Sequence, residues 1–202
     1  MSRNPSEVFL KYEIENSEII NAAVLFDQAF SGKFKYVIPN DSLRIKFWSE
    51  ILNKKQIVGA FIDGELVGMA LITFEGRPGF LVTAKKSLFE ILGVWHGLKA
   101  GLYFILFSKL DKKIIFPNAY LEAISVSEKY RGLGIGKRLI DEVSRIAKNQ
   151  GVEILLLQVV LENQQAKKLY EQIGFKVIST KQTPVLRIFT KVRGAFLMSK
   201  KL

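Results

Sequence analysis

"AISVSEKYRGLGIGKRL", residues 123–139, carries glycine at three alternate positions, Gly132, Gly134 and Gly136, and then Lys137. Glycine at this density marks backbone that must come close to something. Two nucleotide-binding patterns fail on spacing. A G-x-G-x-x-G fingerprint begun at Gly132 needs its third glycine at position 137, which is Lys137. The pattern G-x-x-x-x-G-K-[ST] finds Gly136 and Lys137. It also meets Arg131 where its first glycine belongs and Arg138 where its hydroxyl residue belongs.

The flanks decide the matter. "AYLEAISV" (119–126) reads as a strand. "IGKRLIDEVSRIAKNQG" (135–151) places Ile135, Leu139, Ile140, Val143, Ile146 and Ala147 on one helical face, with Gly151 set to end the helix. "VEILLLQVV" (152–160) is a continuous apolar run, as in a strand buried on both faces. "NQQAKKLYEQIG" (163–174) repeats the helical pattern, with Asn163 as cap and Ala166, Leu169, Tyr170 and Ile173 on one face. The order strand, loop, helix, strand, helix predicts two parallel strands joined by a right-handed crossover. The glycine loop then lies at the carboxyl end of a strand and the amino end of a helix. Free N–H groups and the helix dipole converge there into an anion site. The reading is a phosphate cradle, and a tight turn without a ligand is its alternative.

Upstream, "VFLKYEIEN" (8–16) reads as a first strand, 17–30 as a helix capped by a serine, and 41–52 as a helix capped by Asp41 or Ser42. Residues 56–76 form two apolar runs around Asp63-Gly64, a strong hairpin signal. "RPG" (77–79) then leads into an apolar segment, 88–107, read as a helix. Glu90, His96 and Lys99 interrupt that segment, so no run approaches the ~18 apolar residues of a membrane span. It is read as a buried or groove-lining helix, with an interfacial or dimer-forming helix as the sharper alternative. The tail after Phe175 reads as two final strands.

Composition bounds the function. A chain of 202 residues is expected to be one domain, 1–202. The absence of cysteine excludes disulfides and thiol chemistry and fits a reducing compartment. With a single histidine, His96, a protein zinc site is not expected, and His96 is read as packing or capping locally. The opening "MSRNPSEVF" lacks the apolar core of a signal peptide, so a cytoplasmic location is expected. The net charge is +11, and no acidic residue follows Glu171. A basic surplus points to a polyanionic partner or to a solvated basic face.

Arg131-x-x-Gly134-x-Gly136 resembles the [Q/R]-x-x-G-x-[G/A] loop of the GCN5-related N-acetyltransferase (GNAT) superfamily, which grips the pyrophosphate of acetyl-CoA. Asn163, Ala166, Leu169, Tyr170, Gly174 and Phe175 resemble the same family's downstream N-x-x-A-x-x-L-Y-x-x-x-G-F helix. The resemblance is specific over 119–175 and extends elsewhere only as element order. It implies an α+β fold, with a mixed, mostly antiparallel sheet flanked by helices and with splayed, parallel fourth and fifth strands.

It further implies acetyl-CoA as co-substrate, no metal, and an amine acceptor that is a small molecule or a protein or peptide amine. Carried over, the backbone of Ile124, Ser125 and Val126 contacts pantetheine and the thioester. Arg131, Gly132, Leu133, Gly134, Ile135, Gly136 and Lys137 bind pyrophosphate. Asn163 contacts the cofactor or orders the site, and Tyr170 protonates the departing thiolate. Relatives that acetylate protein N termini carry a Glu five residues before the Asn, where this chain has Gln158. Glu122 is the remaining carboxylate. By strand alternation it is expected on the face of Ile124 and Val126, as the general base, with a water chain as alternative. Two rival functions stay open: a non-catalytic acyl-CoA-binding module, and a nucleic-acid or anionic-membrane binder that uses the basic tail. A homodimer also stays open.

Overall fold

The computed structural model describes residues 8–74, 89–102, 118–182 and 192–202. The "RPG" stretch, the ends of the 88–107 segment and the middle of the basic tail lie outside the described residues. Seven strands form one sheet: β1 (Phe9–Tyr12), β2 (Ile57–Ile62), β3 (Glu65–Phe74), β4 (Asn118–Val126), β5 (Ile154–Val160), β6 (Lys176–Gln182) and β7 (Gly194–Lys201). Their spatial order is β1-β2-β3-β4-β5-β7-β6. Every neighbouring pair is antiparallel except β4 and β5. The expected mixed sheet with a parallel fourth and fifth strand is therefore present.

Among the described residues five helices flank the sheet: α1 (Ile19–Phe34), α2 (Asp41–Ile51), α3 (residues 89–102), α4 (Ile135–Asn149) and α5 (Gln164–Gln172). The six residues expected on the inner face of α4 are its buried residues. They join Ile72, Leu121, Leu155, Leu157 and Tyr170 in a core on one side of the sheet. The other side carries a second core. There α1 and α2, with Phe26, Phe47 and Trp48, and α3, with Leu92 and Ala100, cover Met69, Leu71 and Ala123.

Local chemistry explains most boundaries. Asp63 and Gly64 both take positive φ, 51° and 78°, as the two-residue hairpin turn requires. Gly151, at φ 76°, follows the end of α4. Four expectations change. The cap of α2 is Asn40, whose side chain accepts from the Leu43 N–H at 2.8 Å, rather than Asp41 or Ser42. A turn at Asn16–Glu18 precedes α1, closed by the Glu18 carboxylate accepting from the Glu15 N–H. Leu169 is 43% exposed, which leaves Tyr170 as the buried residue of α5. His96 is exposed on α3 instead of packed.

The α1–α2 corner is held by charge. Arg44 is buried and donates through Nε and Nη2 to the two carboxylate oxygens of Asp27, at 2.6 and 2.8 Å. It also donates to the Ile38 carbonyl at 2.9 Å, and the Trp48 indole N–H donates to Asp27 at 2.9 Å. The hydrogen bond it donates to Asp27 is the largest influence holding the guanidinium in its charged form.

Candidate active site

β4 and β5 pair only over Asn118–Leu121 and Ile154–Leu157. Beyond that the strands part. Among the described residues, no strand pairs with the β5-facing edge of Glu122–Val126. The alternation of the antiparallel ladder shows which groups look into this notch. The Ser127 N–H donates to the Val67 carbonyl on β3 at 2.9 Å. Ser125 and Ala123 therefore also turn their N–H and C=O toward β3, while Ile124 and Val126 turn theirs toward the notch. Of the three residues expected to offer backbone there, Ser125 does not.

A turn at Glu128–Tyr130 carries the chain from β4 to the glycine loop. Tyr130 is buried, and its hydroxyl donates to Glu65 at 3.2 Å. Arg131 is committed to the end of β4. Its Nε donates to the Val126 carbonyl at 3.1 Å, and Nη1 donates to Glu128 at 3.2 Å. The guanidinium thus takes the Val126 carbonyl, and the Val126 N–H remains on the notch side.

The loop backbone is left-handed at Gly132 (φ 81°) and Gly134 (φ 75°), which explains glycine at both. Gly134 is the residue before α4, so no side chain caps that helix, and its first turn contains no acidic residue. The helix itself therefore supplies neither a side-chain cap nor a first-turn carboxylate to the positive end of its dipole. Ile135 is buried and contributes only backbone at this end; Leu133 is half-buried and Lys137 is exposed.

Gly136 is the informative glycine. It lies inside α4 with ordinary helical φ, and among the described residues a Cβ placed on it meets only the Ile124 Cδ1, at 4.0 Å. Neither backbone nor packing calls for glycine at this position. The missing Cβ leaves room above the helix terminus, which fits a pyrophosphate seated on these N–H groups.

The other wall is α5. Asn163 is its N-cap, and Oδ1 accepts from the Ala166 N–H at 3.1 Å. Two turns later, Tyr170 is 9% exposed, with its ring 5.9 Å from that of Phe175 in an edge-on contact. Burial pushes its phenol up to about 12. Among the described residues, no group hydrogen-bonds its hydroxyl. Tyr170, Ile124 and Val126 belong to the same core.

Glu122 does not share their face. β4 holds one extra residue against β3, because Leu71 opposes Ala123 while the next residue, Ile72, opposes Leu121. Glu122 is that extra residue, and the bulge reverses the alternation on either side of it. Leu121 lies in the α4-side core, whereas Ala123 lies in the α1-side core. The Glu122 carboxylate follows Ala123 and accepts from the Thr73 hydroxyl at 2.6 Å. The expectation from strand parity fails for this reason. Thr73, on β3, had no signal in the sequence. No group of three or more His, Cys, Asp or Glu residues suited to a metal occurs among the described residues. Within the same residues no helix is long and apolar enough to cross a membrane.

The chain is similar to known proteins in sequence and in fold. A mouse thialysine N-epsilon-acetyltransferase is 38% identical over 74 residues, 37% of this chain and 41% of that protein. YobR of Bacillus subtilis, an uncharacterised N-acetyltransferase, is 46% identical over 59 residues, 29% of this chain and 24% of its own. The chain thus spans less than half the length of either relative. Among solved structures, Arabidopsis thaliana Naa50 in complex with the bisubstrate analogue CoA-Ac-MVNAL superposes with a TM-score of 0.61 at 19% identity, over 97% of this chain and 99% of that one. That likeness shows the fold. The acetyltransferase (GNAT) family pattern matches residues 24–175, about three quarters of the sequence, and the chain belongs to that family.

Proposed function

We propose that the protein is an acetyl-CoA-dependent N-acetyltransferase. Gly136 carries this reading, because the fold itself gives no reason for a glycine at that point of the helix terminus. The pyrophosphate would lie on the N–H groups of residues 132–137, and the pantetheine arm would extend β4 through the notch-facing groups of Ile124 and Val126. An amine nitrogen bonds to the thioester carbonyl carbon, the carbon–sulfur bond breaks, and sulfur leaves as a thiolate. The Val126 N–H faces the notch where negative charge gathers on the carbonyl oxygen.

Glu122 and Tyr170 suit opposite ends of that displacement, because they lie on opposite faces of the sheet. Glu122 takes the proton the amine must lose. Tyr170 faces the sulfur. A phenol at about 12 lies far above an ordinary thiol near 8.5, so complete proton transfer to the thiolate is uphill by roughly 5 kcal/mol. Its part is a hydrogen bond donated to the leaving sulfur, with the final proton drawn from solvent. Asn163 orders the start of α5 beside the cofactor. The acceptor is a primary amine, on a small molecule or a peptide.

The test is release of free thiol from acetyl-CoA with thialysine, a polyamine and a peptide with a free N terminus. Amine-dependent release that is lost in Gly136→Ala supports the reading. Tight CoA binding with no release for any amine would make the protein an acyl-CoA sensor instead.

A further inference from the structure

We infer that Thr73 is a positioning residue for Glu122, fixing the carboxylate of the bulge on the side from which the amine arrives. This rests on the acetyltransferase reading above. At the bulge two residues of β4 share one position of β3, so Glu122 stands outside the regular ladder at the point where a base must be aimed.

Thr73 supplies a fixed donor at that point. It is 5% exposed, in the middle of the sheet, opposite Tyr120 and one residue beyond the irregularity in the ladder. Its hydroxyl donates to Glu122 Oε1 at 2.6 Å, the length of a strong hydrogen bond to a charged acceptor. Threonine suits the task better than serine, because its second Cβ substituent stiffens χ1. A buried hydroxyl also needs a partner, and this one is supplied by a carboxylate that the bulge has turned onto the same face.

The experiment compares Thr73→Val, which keeps the shape and removes the hydroxyl, with Thr73→Ser, which keeps the hydroxyl. Two readouts are taken on the whole protein. The first is the carboxyl ¹³C titration of Glu122, assigned by its disappearance in Glu122→Gln. Loss of a donor to the charged form moves the midpoint upward in Thr73→Val, and Thr73→Ser restores it. The second is kcat and KM for acetyl-CoA, with thialysine and a free-N-terminus peptide as acceptors. Thr73→Val is expected to lower kcat roughly tenfold to a hundredfold at unchanged KM for acetyl-CoA, with serine recovering most of the loss.

An unmoved titration midpoint in Thr73→Val overturns the inference. So does a moved midpoint with wild-type kcat, or an equal loss in the valine and serine variants. The parent reading fails separately. If Glu122→Gln turns over like wild type, Glu122 is not the base, whatever Thr73 does to its titration. A wild-type protein that turns over none of the probes removes the acetyltransferase reading and Thr73's role with it.

Discussion

Gly136→Ala separates what the fold needs from what the ligand needs. The added methyl meets only the Ile124 Cδ1, at 4.0 Å, an ordinary contact. Alanine is a better helix residue than glycine by roughly 0.5–1 kcal/mol. The ligand-free variant is therefore expected to melt at or slightly above the wild-type temperature. Binding is expected to suffer, because Cβ bonds tilt toward a helix's N-terminus and this methyl leans back over the glycine loop. A phosphate oxygen must come within ~2.9 Å of an N–H nitrogen to bond, and the methyl takes up that space. Losing one or two charge-assisted bonds at about 1.5–3 kcal/mol each weakens CoA by roughly two orders of magnitude.

Thermal shift reads both effects. At a hundredfold excess over Kd, ligand stabilises the wild type by about 2.7 kcal/mol, which for a chain of this size raises Tm by about 5–10 °C. With Kd a hundredfold weaker, the same CoA concentration stabilises the variant by about 0.4 kcal/mol, a shift of about 1 °C. A wild-type CoA shift in the folded variant refutes the cradle. A large drop in ligand-free Tm refutes the claim that the fold does not need this glycine. Gly134→Ala is the contrast: at φ 75° it forces a side chain into the left-handed region, so its ligand-free Tm falls as well.

Tyr170→Phe is expected to lower kcat roughly ten- to a hundredfold with CoA affinity intact; steady-state kinetics beside calorimetry checks this, and wild-type turnover would return Tyr170 to a packing role. The same tyrosine makes an alkaline prediction. Its folded value, about 12, lies above its unfolded value near 10, so its contribution is intact below pH 10 and is lost as pH climbs toward 12. Wild type should lose about 3 kcal/mol relative to Tyr170→Phe across that window in chemical denaturation. Asn163→Ala removes the α5 cap and is expected to cost about 0.5–2 kcal/mol; a CoA affinity that stays unchanged would confine Asn163 to capping. Arg44→Met leaves Asp27 buried without its cation and is expected to cost about 3–5 kcal/mol, read as a fall in denaturation midpoint without a change in slope.

What the sequence made legible follows from which interactions are local. The inner face of α4, the Asp63-Gly64 turn and the parallel order of β4 and β5 rest on short-range signals: helical periodicity, two-residue turn chemistry, and a helix too long to leave room for a hairpin. The corrections all depend on partners distant in the chain or on a shift of one residue. Leu169 follows the same helical spacing as Tyr170, yet the nine-residue α5 buries only one of them. The choice of Asn40 over Asp41 moves a helix start by one position, within reach of several capping side chains.

Glu122 shows why one residue can redirect a site. Alternation in a strand is a parity, and inserting one residue inverts it for everything downstream. With a regular β4, Glu122 would share the face of Tyr170, and the proposed base and the proposed sulfur-facing donor would lie on one side of the sheet. The bulge instead sends Glu122 to the α1 side, while Ile124 and Val126 return to the α4 side. On the proposed reading, the amine would approach from the Glu122 face of the sheet and the sulfur would depart toward Tyr170. The bulge also sits where the pairing of β4 with β5 stops, just past Leu121, so one irregularity coincides with the opening of the notch and the turning of the carboxylate. Deleting Glu122 would restore regular alternation on paper. It would also remove the acceptor of the Thr73 hydroxyl. The site and the sheet therefore depend on the same residue.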